Sequence, residues 1–219
     1  HLLANQHEIK VETTFSHLAA SDESRHDQFT RKQINTFTRM AEAIEEAVGY
    51  RPMRHIVNSA GIERFPHAHF DMVRLGIGLY GISPENQEAL KAVSRLRSFV
   101  LQVKDVKKGA TIGYGRVGKA RENMKIAIIP VGYADGFRRS FSNGEGRVYI
   151  NGSFCPVVGN VCMDMTMVDI TGLSVKEGEE VELFGEHLSV MEWAEKLDTI
   201  PYEVFTSVPP RVRRIYLQE

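Results

Sequence analysis

The chain has 219 residues, of which 42% are hydrophobic and 25% are charged, and its formal net charge is −1 at pH 7. This composition is typical of a globular protein with a core, and it argues against a nucleic-acid-binding or membrane-surface protein. No apolar run approaches the ~20 residues of a membrane span. The two cysteines, Cys155 and Cys162, have no His or Cys cluster around them, which argues against a metal site and favours reduced thiols in the cytoplasm.

The first 82 residues alternate strand-like and helix-like segments. The β-rich stretch 9–15 is followed by apolar residues at three- and four-residue steps over 26–48, which predict a helix that Gly49 ends. Segments 54–57 and 71–75 predict two further strands, with a short helix between them. This order is typical of a parallel α/β arrangement. Because the chain opens at His1 without an initiator methionine, we expect it to be part of a longer protein.

After Pro84 the pattern changes to short β segments separated by glycine turns. Strands are predicted at 99–106, 125–131, 147–150, 165–170, 180–184 and 213–217, and short helices at 190–197 and 202–206. Asn151-Gly152 is the strongest hairpin signal in the chain,. The sequence therefore predicts an α/β domain at residues 1–84, followed by a mostly β domain at residues 85–219.

Tyr114 stands between two glycines in Gly113-Tyr114-Gly115. On such a turn the backbone can approach a ligand closely and the phenol can project freely. A tyrosine with a pKa of about 10 is a poor base in water, but nearby cations can lower that pKa and make it a proton carrier. The same tripeptide also fits a packed turn without chemistry.

Polar and small residues follow the predicted parallel strands, where ligands bind in such domains. The loops Asn58-Ser59-Ala60-Gly61 and Gly76-Ile77-Gly78 suit an anion, because small side chains let N–H groups reach it,. Arg74 would add a cation, and His17 would lie at the same rim of the sheet. Close packing at the glycines and a structural histidine are the alternatives that these residues leave open.

Six motifs occur in an order that identifies a family. They are Phe15-Ser16-His17-Leu18-Ala19, Asn58-Ser59-Ala60, Met72-Val73-Arg74-Leu75-Gly76-Ile77-Gly78-Leu79-Tyr80-Gly81, Gly113-Tyr114-Gly115, Val131-Gly132-Tyr133-Ala134-Asp135-Gly136 and Val161-Cys162-Met163-Asp164. Together they resemble alanine racemase, a homodimeric isomerase that uses pyridoxal 5'-phosphate (PLP) to interconvert L-alanine and D-alanine. The resemblance implies a PLP-binding (β/α)8 barrel, a TIM barrel, followed by a β-barrel-like domain. Only the last part of such a barrel fits in residues 1–84, since a whole one needs about 250 residues.

The resemblance also implies roles for single residues. Tyr114 is one base of a two-base mechanism, and the other is the Schiff-base lysine of the family, for which no lysine here has a matching context. His17 and Arg74 form a polar relay behind the tyrosine of a partner chain, and Arg74 also faces the pyridine nitrogen of PLP. Alanine is the implied substrate, bound at active sites that two chains share.

Further residues match the binding positions of the family. Asn58, Ser59, Gly76, Ile77 and Tyr202 match the site of the PLP phosphate. Met163 matches a backbone position that binds the substrate carboxylate, and Tyr133 matches an aromatic residue near the entrance, which Asp22 and Arg139 also line. Asn160 departs from the family, in which many members carry an arginine.

We therefore interpret the chain as part of a PLP-dependent alanine racemase. We expect the chain by itself to be inactive, because it has no counterpart of the Schiff-base lysine. Two alternatives remain at this stage: a non-catalytic dimerisation or binding fragment, and a racemase of broader amino-acid specificity. A related PLP-dependent decarboxylase fits the Gly-Tyr-Gly and Cys-Met-Asp motifs less well.

Overall fold

The computed structural model describes residues 8–83 and 85–217. The chain divides into two compact units, one ending at Val93 and the other beginning at Ser94. No helix among the described residues is long and apolar enough to cross a membrane.

The first unit alternates strands and helices: β1 (Thr13–Phe15), α1 (Asp27–Val48), β2 (Met53–His55) and α2 (Ser59–Arg64). Strands β1 and β2 pair in parallel, with Phe15 opposite His55. One apolar stripe of α1 is buried, including Ile34 and Phe37. The helix predicted at 26–48 is confirmed, and it ends at Gly49, which adopts a left-handed φ of 78° and donates its N–H to Glu45 at 2.9 Å,.

The strand predicted at 71–75 is wrong, because those residues do not form a regular ladder with β2. Asp71 N donates to the carbonyl of Arg54, and Arg74 N donates to that of Val57, both at 3.1 Å. The Asp71 carboxylate, however, accepts the N–H of Arg54 at 2.8 Å. A side chain thus occupies a donor that a parallel ladder would have paired with a backbone carbonyl.

The second unit is built mainly from antiparallel strands. They are β3 (Leu96–Phe99), β4 (Gln102–Val106), β5 (Thr111–Ile112), β6 (Gly118–Lys119), β7 (Met124–Ile129), β8 (Arg147–Ile150), β9 (Ser153–Pro156), β10 (Thr166–Asp169) and β11 (Glu180–Phe184). The sheets have the orders β10-β7-β4, β3-β11-β8-β9 and β5-β6. Helices α3 (Val190–Lys196) and α4 (Pro201–Ser207) follow the strands. The aromatic rings of Phe137, Phe141 and Phe184 surround Trp193, with centroid distances of 5.3, 4.8 and 5.2 Å.

In the second unit the predicted hairpin turn is confirmed, whereas the last predicted strand is wrong. The predicted hairpin at Asn151-Gly152 joins β8 and β9, and both residues have positive φ, 45° and 82°, as a type I′ turn requires,. The strand predicted at 213–217 is wrong: those residues form no strand, and Ile215 and Tyr216 are 70% and 86% exposed. Residues 213–217 thus join none of the sheets formed by the described residues.

Glu182 is a buried carboxylate in the centre of β11, 7% exposed. One oxygen accepts the backbone N–H groups of His187 at 2.7 Å and Leu188 at 3.0 Å, and the other lies 3.3 Å from His187 Nδ1. Burial alone would raise its pKa, but these hydrogen bonds outweigh burial and lower the pKa below its ordinary value of 4.5,. The charged form of Glu182 therefore stabilises the fold.

We expect Glu182→Gln to reduce the free energy of unfolding at pH 7 by about 2 kcal/mol, because the N–H groups of His187 and Leu188 lose a charged acceptor,. The pKa of Glu182 is lower in the folded state than its ordinary value. The stabilisation by Glu182 is therefore complete above the ordinary pKa and is lost as the pH falls through the folded-state pKa. Urea unfolding at pH 7 and at pH 3 measures both effects. Glu180→Gln is the matched control, since Glu180 lies on the same strand in an exposed pair with Arg97; an equal loss for both variants at both pH values contradicts the prediction.

Candidate functional site

Arg74 is the centre of a polar cluster at the ends of β1 and β2. Its Nη1 donates to His55 Nδ1 at 2.6 Å, and its Nη2 donates to the carbonyls of Ser16 at 2.7 Å and Ile56 at 3.1 Å. The guanidinium carbon lies 5.6 Å from the ring centroid of Phe15. Burial lowers the pKa of Arg74 from its ordinary value, yet a guanidinium keeps its charge in a protein. Both strand ends thus hold this cation in one orientation.

His17 and Ser59, the other two residues predicted at this rim, lie around Arg74. His17 is exposed, and its Nδ1 is 3.3 Å from Arg74 Nη2. Ser59 is buried, and its hydroxyl accepts hydrogen bonds from Gly76 and Gly78, in the segment that follows Arg74. The structure therefore brings the predicted polar residues together at one rim, while their chemical roles stay predictions.

His55 belongs to the same cluster but is not among the residues that sequence reasoning selected. Its ring stacks on Phe15 at 5.3 Å between centroids, with 4° between the planes. Burial first, and then the Arg74 charge, lower the pKa of His55. A neutral ring that accepts at Nδ1 carries its proton at Nε2. The signal in the sequence was the position of His55 at the end of the strand that leads to Asn58 and Ser59.

Ser59 links the two small-residue loops that were predicted to bind an anion. Its Oγ accepts the N–H of Gly76 at 2.9 Å and that of Gly78 at 3.2 Å. Since the hydroxyl is the acceptor in both bonds, its own proton points elsewhere. Ile77, between the two glycines, is 5% exposed. The Ser59 proton is therefore available to an anion, whereas the N–H groups of Gly76 and Gly78 are engaged by the Ser59 hydroxyl.

Asn58 is the N-cap of α2. Its Oδ1 accepts the N–H of Gly61 at 3.0 Å and the hydroxyl of Ser21 at 2.7 Å. Within residues 8–83 and 85–217 its Nδ2 donates no hydrogen bond. Asn58 thus contributes a fixed side chain whose amide NH2 group is still available as a donor.

Tyr114 lies in the second unit on the turn that the glycines predict. Gly113 and Gly115 have φ values of 74° and 69°, in the region that favours glycine,. The Tyr114 side chain is 76% exposed, and its backbone carbonyl accepts from Asn160 Nδ2 at 3.1 Å. The amide side chain of Asn160 thus fixes the backbone of the turn that carries Tyr114.

A groove of about 1130 Å³ opens beside Tyr114 in the second unit. Several residues predicted from the sequence line it: Tyr114, Tyr133, Arg139, Asn160 and Met163. Tyr133 is 42% and Met163 is 54% exposed. Among the described residues Met163 N donates no hydrogen bond, so this N–H can bind an anion.

Asp22 is exposed and belongs to the first unit, whereas the groove lies in the second. Tyr202 is the second residue of α4 and is 46% exposed. Cys162 also lines the groove; burial raises the pKa of its thiol, against an opposing effect of Arg139, so the thiol form dominates and nucleophilic chemistry is disfavoured,.

Comparison with known families accounts for almost the whole chain. The family model of the alanine racemase N-terminal domain matches residues 1–84, and that of the alanine racemase C-terminal domain matches residues 93–216. The chain belongs to the alanine racemase family. Its α/β unit and β unit follow each other in the order of these two domains.

Individual members of the alanine racemase family agree with this assignment. The alanine racemase of Clostridium novyi is 40% identical over 221 residues, which cover 96% of this chain and 57% of that protein. The alanine racemase of Clostridium difficile 630, solved in complex with cycloserine, has a TM-score of 0.87 at 37% identity, over 93% of this chain and 56% of the other. The Bartonella henselae enzyme, solved with covalently bound pyridoxal phosphate, has a TM-score of 0.84 at 35% identity, over 95% of this chain and 57% of that chain. The chain thus spans little more than half the length of these alanine racemases.

Proposed function

We propose that this chain is part of a PLP-dependent racemase that interconverts L-alanine and D-alanine, with Tyr114 as one of two bases. The observation that carries the proposal is the exposed Tyr114 on its glycine turn, at a groove that Tyr133 and Met163 also line. A phenol of this kind can remove a proton from Cα or return it, if a cation near its oxygen favours the ionised form. Met163 N is the donor that we assign to the substrate carboxylate.

The residues of the first unit fit pyridoxal 5'-phosphate. Ser59 has a hydroxyl proton to donate, Asn58 has an amide donor, and Gly76 and Ile77 lie beside Ser59 without bulky exposed side chains. We assign these four residues to the phosphate. When bound, the cofactor supplies an electron sink that acidifies the Cα proton of an amino acid.

Arg74 fits the ring nitrogen of the cofactor. Its two Nη atoms are engaged by His55, His17 and three carbonyl groups, and among the described residues its Nε donates no hydrogen bond. Because a guanidinium does not release its proton, Arg74 Nε–H would hold the ring nitrogen of the cofactor by a hydrogen bond without protonating it. Arg74 would thereby weaken the electron sink and disfavour transamination as a side reaction.

We further propose that the active protein is a cytoplasmic homodimer in which Tyr114 serves the site of the partner subunit, close to its Arg74 and His17. The exposure of Tyr114, whose phenol makes no hydrogen bond within the described residues, supports this assignment. Cys155 and Cys162 are both free thiols, in keeping with a reducing compartment,.

The first unit also fits part of a (β/α)8 barrel. Its two strands are parallel, and α1 lies between them in sequence, as in one turn of such a barrel,. An apolar groove of about 480 Å³ lies between β1 and α1, with Phe15, Phe29 and Met40 exposed at 67%, 50% and 63%. We propose that other barrel segments cover these side chains in the complete enzyme, because isolated apolar faces of this kind are unfavourable in water.

We expect the 219-residue chain by itself to form no D-alanine from L-alanine in the presence of PLP, because it lacks the lysine that the family places on the other face of Cα. A chimera supplies the missing segment: the part of the Clostridium difficile alanine racemase that this chain does not match is placed before residue 8. We expect this chimera to be active. Chiral chromatography of the product measures both reactions. An active isolated chain contradicts the lysine argument, and a folded, PLP-loaded but inactive chimera contradicts the proposed function.

A further inference from the structure

Two irregular loops lie against each other at the rim of the Tyr114 groove. Tyr133 N donates to the carbonyl of Cys162, and Ala134 N donates to that of Met163, both at 3.0 Å. One loop contains a single 3-10 turn, Tyr133–Asp135, and the residues around Met163 form neither helix nor strand. Tyr133 and Met163 both line the groove. The distance between Tyr133 and Met163 therefore depends on these two backbone hydrogen bonds and on side-chain contacts between the loops.

Arg211 provides one such side-chain connection. Its Nε lies 3.0 Å from Asp135 Oδ1, and its Nη2 donates to Asp164 Oδ1 at 2.6 Å. The Asp135 carboxylate is itself fixed, since it is 8% exposed and its Oδ2 accepts the N–H of Gly132 at 3.0 Å. One carboxylate belongs to each loop, and one guanidinium joins them.

We infer that Arg211 is a positioning residue, which fixes Tyr133 and Met163 relative to each other by bridging Asp135 and Asp164. The geometric part of this inference stands on the contacts within the second unit, and its consequence for alanine binding rests on the proposed function. Arginine suits the role because two different nitrogens of one rigid plane each meet a carboxylate. A lysine has the charge but a single nitrogen, so it cannot hold both loops in the same geometry.

The geometric part is tested in the 219-residue chain by NMR of 13C-labelled methionine methyl groups. We expect Arg211→Gln to shift and broaden the Met163 signal, assigned by its loss in Met163→Leu, and to leave that of Met40 in the first unit unchanged. Asp164→Asn removes one arm of the bridge at an exposed position and should shift the Met163 signal in the same direction. Should Arg211→Gln unfold the chain, Asp164→Asn decides the test. An unchanged Met163 signal in every folded variant overturns the inference.

The consequence for binding is tested in the chimera. We expect Arg211→Gln to raise KM for L-alanine about tenfold with kcat within about threefold, since a displaced Met163 N–H weakens carboxylate binding throughout the reaction. Arg211→Lys should recover part of the loss. The matched control is Arg147→Gln, which breaks another two-nitrogen contact with a carboxylate, that of Glu192, at a similar side-chain exposure and outside the groove lining.

The two proposals fail in distinguishable ways. An inactive wild-type chimera removes the proposed function, while the methyl spectra still decide whether Arg211 positions the loops. A normal KM in Arg211→Gln, together with a displaced Met163 signal, overturns the assignment of Arg211 to alanine binding and leaves its structural effect. An equal rise of KM in Arg147→Gln shows a general loss of stability instead and overturns the positioning role.

Discussion

Tyr114→Phe is expected to lower the rate of racemisation by the chimera about 10³-fold, because general acid–base catalysis by one positioned group contributes about 10²–10⁴. The fold should not change, since the ring is 76% exposed and the phenol makes no hydrogen bond within the described residues. We expect a difference of less than about 0.5 kcal/mol in the free energy of unfolding. Racemisation is measured in both directions, and stability is measured by urea unfolding.

A second measurement separates loss of one base from loss of the whole site. Exchange of the Cα hydrogen with deuterated solvent should persist for one enantiomer of alanine, because the lysine of the added segment serves the other face. Tyr216→Phe is the matched control, as Tyr216 is 86% exposed in the same unit but does not line the groove. A Tyr114→Phe enzyme with racemisation within tenfold of the unchanged chimera rules out Tyr114 as a base.

Gly132→Ala is expected to reduce the free energy of unfolding of the second unit by about 3 kcal/mol, as severe overpacking does. A Cβ at Gly132 would lie 2.2 Å from the carbonyl oxygen of Cys162 and 2.4 Å from that of Met163. Both obstacles are backbone atoms, so no side-chain rotation relieves the clash. The backbone at Gly132 is extended, with a φ of −147° that any residue adopts, so the cost comes from space alone.

Gly152→Ala is the control for this steric cost. A Cβ at Gly152 meets nothing within 4 Å, but its φ of 82° disfavours alanine, so we expect a loss of about 1 kcal/mol. Thermal or urea unfolding of the 219-residue chain, followed by the fluorescence of Trp193 in the second unit, compares the two variants. Equal losses in both would show that the Cys162 and Met163 carbonyls move aside without cost.

Local signals in the sequence predicted much of the fold. The periodicity of α1, its stop at Gly49 and the Asn151-Gly152 hairpin depend on neighbouring residues, and the structure confirms them. The two wrong strands depended on distant partners. At 71–75 the Asp71 side chain takes the N–H of Arg54, and residues 213–217 pair with no strand within the described part of the chain. Neither fact can be read from the composition of the segment.

The same limit applies to the candidate site. Family motifs and strand ends identified Arg74 and His17, and the structure places them in contact. His55 was missed because its importance comes from a hydrogen bond to a residue 19 positions away. Arg211 was not among the residues selected from the sequence, because its partners Asp135 and Asp164 become neighbours only when the second unit folds. Charge pairs between distant loops have no local signature.

The exposed phenol of Tyr114 has a consequence for how the proposed activity depends on protein concentration. Its own chain fixes the Tyr114 backbone through Asn160 but gives the hydroxyl no partner within the described residues. If the partner subunit supplies that partner, the orientation of the base is acquired only when two chains meet. Dilution would then remove the base from both sites at once, by mass action, although every chain stayed folded. Racemisation would then require the association of two chains.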